Sequence, residues 1–238
     1  SRTRFIVALF YFLNPFVYTR FLAGQWMILC AYAFLPLVFF LAKRVVEGVR
    51  WSGIRLAFTL VVMCAFSLHI GFMGIVVACA SALIAWPSRT RHALKQGVLA
   101  LGAFLLGMTY WTIPALTRHE GSLLTIFDER HLLAFRTSTH PILGTWGNVL
   151  ALGGFWGERE PWSRAFVWPW EAHPVIMGIA AGLLMSVILF GMYITIRARD
   201  TRRMGVLLFI VGCLAFIFSC GVGDTIFASF NHFLFSHV

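Results

Sequence analysis

Charge is scarce in this sequence. Asp, Glu, Lys and Arg make up 12% of its 238 residues, and only nine residues are acidic. With 60% hydrophobic residues and a mean hydropathy of +0.83, this excludes a soluble globular domain, which could not bury so much apolar surface. Paired cysteines are missing too. Cys30, Cys64, Cys79, Cys213 and Cys220 all lie inside apolar runs without CxxC spacing, and read as small buried hydrophobes, not disulfides or metal ligands. No histidine pair has the HExxH spacing of a zinc site, so no metal site is assigned. No small-residue cleavage site follows the opening Ser1-Arg2-Thr3-Arg4, and Asn14-Pro15 interrupts the apolar run behind it, which argues against a signal peptide. There is no internal repeat and no low-complexity linker. The expected organisation is one transmembrane domain over residues 1–238, and the opening Ser points to a fragment of a longer chain.

What is present is a succession of apolar runs: Phe5–Phe16, Trp26–Ala42, Leu56–Trp86, Gly97–Leu116, Pro174–Ile196 and Met204–Cys220. Most approach the ~20 residues that cross a ~30 Å hydrocarbon core. Leu56–Trp86 is too long for one plain span and short for two. A helical hairpin turning at Ser67-Leu68-His69-Ile70-Gly71 resolves this, because it puts the basic residues on both sides of the run, Arg50, Arg55, Arg89, Arg91 and Lys95, on one face of the membrane. The cytoplasmic segments are then residues 1–4, 43–55, 87–96 and 197–203, which hold most of the Lys and Arg but only Glu47 and Asp200 of the acids. The net charge of +10 flanks apolar spans and forms no single face, so nucleic acid is excluded as a partner and the lipid bilayer is the expected one. The predicted fold is an all-α polytopic transmembrane helical bundle of five spans plus one short helical hairpin. One large extracytoplasmic loop, residues 117–172, lies within it. The expected location is a prokaryotic cytoplasmic membrane.

Six of the nine acids sit between Arg118 and Glu171, which marks that loop as the working surface. Phe127-Asp128-Glu129-Arg130-His131 joins two carboxylates, a cation and an imidazole; it suits acid–base work or a divalent cation, or equally a solvated turn or helix cap. Further on, Trp156, Trp162, Trp168 and Trp170 alternate with charged residues. Indole rings stack on sugar faces or form an aromatic belt at the headgroups. The belt suits Trp168 and Trp170, beside a span, while Trp156 and Trp162 are more open to a ligand. Arg20 stands in the first outer segment, after the Asn14-Pro15 break; it either forks onto a phosphate or snorkels to headgroups. His69, at the hairpin tip, is an ionisable group at membrane depth, either functional or a hydrogen-bonded turn residue.

The run Asn14-Pro15-Phe16-Val17-Tyr18-Thr19-Arg20, followed by Gly24-Gln25, Tyr32 and Leu35-Pro36, resembles a recurring segment of polytopic GT-C-type glycosyltransferases and their uncharacterised relatives. The short hairpin near Ser67-Leu68-His69 and the long later outer loop are similar too. The resemblance covers the chain as far as the loop after Trp86, and the remainder only as architecture. It implies an enzyme that transfers a sugar from a polyprenyl-phosphate donor on the extracytoplasmic face. Arg20 and Gln25 would contact the donor phosphate, and His69 would line the same cavity. Asp128 and Glu129 would be the acid–base or metal-holding groups, and Trp156 and Trp162 would stack on sugar. No cofactor is implied beyond a divalent cation. The chain departs from the family at the catalytic carboxylate of the first outer loop, which would lie upstream of Ser1; no acid occurs before Glu47. The alternatives are a non-catalytic membrane subunit and a transporter or flippase core. The sugar, the acceptor and the oligomeric state are not readable from the residues.

Overall fold

A computed structural model describes residues 2–84, 91–117, 133, 136–151, 153–154, 157, 172–199, 201–221, 228–229 and 233. Among these residues the chain is all-helical, with one isolated bridge between His140 and Gly144 and no strand. It divides into two compact units. One comprises Ser1–Ala23 and Leu124–Val238, the other Gly24–Leu123.

The first unit opens with helices α1 (Arg2–Phe12) and α2 (Pro15–Leu22). Asn14 separates them by local chemistry. Its Oδ1 accepts from the Val17 backbone N–H at 3.1 Å, and its Nδ2 donates to the Tyr11 carbonyl at 2.7 Å. Asn14 thus caps a new helix while closing the old one, and Pro15 occupies the first turn, where its missing N–H costs nothing. The two helices are bent by 42°, and only together are they long enough for a membrane span.

Helix α8 (Gly144–Leu150) follows in this unit, then α9 (Pro174–Arg197) and α10 (Arg202–Cys220). At 24 residues, α9 is about 36 Å long, and α10, at 19, about 28 Å. Both suit the ~30 Å hydrocarbon core. A tight turn joins them. Thr201 Oγ1 donates to the Thr195 carbonyl at 3.0 Å, and buried Gly205 sits so close to Ile196 that a Cβ would lie 2.9 Å from its backbone nitrogen.

The second unit begins with α3 (Trp26–Ala33) and α4 (Leu35–Val46). Together they form one apolar stretch of 21 residues, about 31 Å long. The interruption at Phe34 precedes Pro36, which cannot donate to the carbonyl four residues back. Helices α5 (Ser52–Phe66) and α6 (Leu68–Ile84) break at Ser67 alone. Ser67 is extended, its backbone N–H donates to the Met63 carbonyl at 2.7 Å, and its hydroxyl accepts a long 3.5 Å bond from the Ile70 N–H. One serine therefore ends one helix and starts the next.

The two arms run antiparallel. A Cβ on Gly71 would sit 3.1 Å from Cys64 Cα, and one on Gly74 would sit 3.0 Å from side-chain atoms of Leu60 and Met63. Helix α7 (Arg91–Thr117) runs parallel to α5: Gly53 meets Gln96 and Ala100 near the start, and Val61 meets Gly107 further along. Hence the beginnings of α5 and α7 share one end of the unit with the end of α4. That end carries Lys43, Arg44, Arg50, Arg55, Arg91 and Lys95.

The apolar hairpin expected over Leu56–Trp86 is two helices, with two differences. The first arm begins at Ser52, because Gly53 presses against α7 and its N–H donates to Gln96 Oε1 at 3.1 Å. The turn also spans a single residue, and His69, Ile70 and Gly71 are already helical. The arms of 15 and 17 residues reach only about 22 and 26 Å.

Candidate functional site

Arg20 lies in the last turn of α2. The Asn14 cap and Pro15 start this second helix after the break. Arg20 is half-buried, and its guanidinium stands over the Phe16 ring, 5.4 Å from the centroid, one turn back. An aromatic face stabilises a cation electrostatically at such a separation. Thr19, beside it, donates to the Phe16 carbonyl at 3.0 Å. A guanidinium held in this way keeps a planar fork suited to an oxyanion.

Gln25 and His69 belong to the second unit. Gln25 precedes the first turn of α3, and His69 is exposed in the first turn of α6. Helix direction places both at the end of that unit away from the basic cluster, since α3–α4 runs toward the cations and α6 starts where α5 ends. Asp128, Glu129, Trp156 and Trp162 lie outside the described residues.

Glu47 is the one Asp or Glu among the described residues. It sits at the basic end, 3.9 Å from Lys43 Nζ and 4.0 Å from Arg44 Nη1. These are exposed contacts, each contributing under about 1 kcal/mol. Among the described residues no three His, Cys, Asp or Glu side chains group to hold a metal ion.

Two polar arrangements escaped the sequence reading. Gln96, in α7, is buried and holds the start of α5 through the Gly53 N–H. Its place in a basic segment concealed this, although a Gln opening a long apolar run is a usable signal. The second is a knot within the stretch 136–154. Buried Asn148 donates to the Ser138 carbonyl at 3.0 Å, and Thr139 and Thr145 share a hydroxyl–hydroxyl bond of 2.8 Å. His140 Nδ1 accepts from the Ile142 and Leu143 N–H groups at 3.2 Å each. Thr137 Oγ1 donates to the Ser219 carbonyl at 2.7 Å, and the Trp146 ring meets Phe216 edge-on at 6.4 Å. The knot is thereby docked on the end of α10. Its signal was Thr137-Ser138-Thr139-His140, a polar run in a chain otherwise poor in such runs.

Among the described residues four helical stretches are long and apolar enough to cross a membrane, and a fifth if α1 and α2 form one broken span. This is the make-up of a multi-pass integral membrane protein, and its apolar helices fit association with a lipid bilayer. No family model matches the chain, and no curated protein and no solved structure match it either.

Proposed function

We propose that the protein is a membrane glycosyltransferase that takes a sugar from a polyprenyl-phosphate donor on the extracytoplasmic face of a prokaryotic cytoplasmic membrane. The observation carrying this reading is the α1–α2 break, with half-buried Arg20 on the short helix behind it. The planar guanidinium fork can donate two parallel hydrogen bonds to an oxyanion, and a lipid-linked phosphate presents one at the membrane face. Support also comes from the resemblance of residues 14–36 to GT-C-type enzymes.

Taken unit by unit, the positive-inside rule assigns Lys43, Arg44, Arg50, Arg55, Arg91 and Lys95 to the cytoplasm, and likewise Arg197, Arg199, Arg202 and Arg203. Five spans and a re-entrant hairpin α5–α6 follow, with residues 117–172 outside. In this reading one of Asp128 and Glu129 takes the proton of the acceptor hydroxyl as its oxygen bonds to the anomeric carbon, while the bond from that carbon to the donor phosphate oxygen breaks and polyprenyl phosphate leaves. Trp156 and Trp162 stack on sugar. Gln25 and His69, in their own unit, are further candidates for donor contact.

The test measures binding of a polyprenyl-phosphate sugar to the protein in nanodiscs. Arg20→Lys keeps the charge and loses the fork, so affinity should fall about tenfold or more with thermal stability unchanged. Equal affinity would end the phosphate assignment. A chain that binds no donor at all would favour the non-catalytic subunit.

A further inference from the structure

The basic end of the Gly24–Leu123 unit is built by a particular turn. Helix α4 closes in a Schellman arrangement: the Val49 N–H donates to the Arg44 carbonyl and the Gly48 N–H to the Val45 carbonyl, both at 3.0 Å. Gly48 has a φ of +72°, and a Cβ there would lie 2.8 Å from His92 Cβ. The turn is thus pressed onto the first turn of α7. Trp51 then takes a φ of +65°, which a bulky residue rarely adopts. The Ser52 hydroxyl, donating to the Val49 carbonyl at 2.6 Å, holds the entry to α5.

The consequence is a gathering of charge. Lys43, Arg44, Arg50, Arg55, Arg91 and Lys95 are all exposed at this end, with Glu47 the one carboxylate described among them. The N-termini of α5 and α7 emerge here too, adding the positive ends of two helix dipoles. Trp51 is 52% exposed, with the Arg50 guanidinium 5.3 Å from its ring. An amphipathic ring beside cations suits the headgroup level of a membrane. Below it, Phe40, Phe58, Leu94 and Val98 are exposed on helices that continue into apolar surface.

We propose that this end is a binding site for anionic phospholipid, with the headgroup phosphates held by Arg50, Arg91 and Lys95 and the acyl chains lying along the apolar faces below. A soluble polyanion satisfies the cations but leaves Trp51 and the apolar helices without a partner, whereas a lipid covers both. This proposal concerns the end of the unit away from Gln25 and His69 and does not rest on the glycosyltransferase reading.

The probes are phosphatidylglycerol and phosphatidylcholine with identical acyl chains, retained by the purified full chain in detergent and counted by native mass spectrometry. The wild type should retain phosphatidylglycerol about tenfold or more over phosphatidylcholine, since each juxtamembrane cation contributes roughly fivefold. The triple variant Arg50→Gln, Arg91→Gln, Lys95→Gln should lose that preference, and the charge-keeping variant Arg50→Lys, Arg91→Lys should retain most of it. Should the triple variant not fold, wild-type preference is followed from about 0.05 to 0.5 M salt, over which it should fall steeply. Equal retention of the two lipids, a preference insensitive to salt, or an unchanged triple variant overturns the proposal. So does displacement of the lipid by about 10 mM inorganic phosphate, or tight binding of RNA by a chain that shows no lipid preference.

Discussion

Two helical hairpins among the described residues are made of similar residues but differ in length and in burial. Helices α5 and α6 turn at Ser67, and α9 and α10 turn at Thr201. The arms of the first are about 22 and 26 Å long, too short to cross comfortably, and α5 buries Leu56, Ala57, Leu60, Met63 and Cys64. The arms of the second reach about 36 and 28 Å, and none of the described side chains of α9 is buried. Hydropathy does not separate them. Length and glycine placement do: Gly71 and Gly74 lie against α5, whereas Gly178, Gly182 and Gly191 of α9 face open space. A hairpin that stops within the membrane must be sheltered by protein, while one that crosses can be sheltered by lipid.

The largest effect should come from filling the contact in the short hairpin. Gly71→Leu forces a side chain into Cys64 and should destabilise the protein by about 3 kcal/mol, or prevent a monodisperse product. Gly182→Leu, where nothing lies within 4 Å, should leave the thermal unfolding midpoint in detergent unchanged. Equal effects at the two sites would erase the distinction between the hairpins.

A smaller loss is expected at Gln96. Gln96→Leu keeps the volume but leaves the Gly53 N–H unpaired in a buried place, a loss of about 1–3 kcal/mol in the same unfolding assay. Smaller again is Ser67→Ala, which removes the hydroxyl that starts α6 and should cost about 1 kcal/mol. That bond is 3.5 Å long, so an effect below this figure would show that the break depends on arm packing more than on the cap.

The breaks were legible where the chemistry is local. Asn14-Pro15 and Ser67 announce themselves, because a cap and a proline act on their own neighbours. The start of α5 at Ser52 was not legible, since it depends on Gln96 far along the chain. The helix carrying Arg20 was legible in the same pair, since an Asn cap followed by Pro marks a helix start as well as a break. The gathering of cations was readable as segregation along the sequence; its convergence at one end of a unit required the parallel packing of α5 and α7. Of the candidate site, the placements of Arg20, Gln25 and His69 are described, while Asp128, Glu129, Trp156 and Trp162 stand outside the described residues.

The most direct test of the hairpin against a single crossing is sidedness. In a background without the five native cysteines, Arg50→Cys, Arg91→Cys and Thr117→Cys are labelled in sealed vesicles with an impermeant thiol reagent, added outside or trapped inside. A hairpin requires Arg50→Cys and Arg91→Cys to label from the same side, the cytoplasmic one, and Thr117→Cys from the other. Labelling of Arg50→Cys and Arg91→Cys from opposite sides would mean that α5–α6 crosses the membrane as a single span, and would contradict the account.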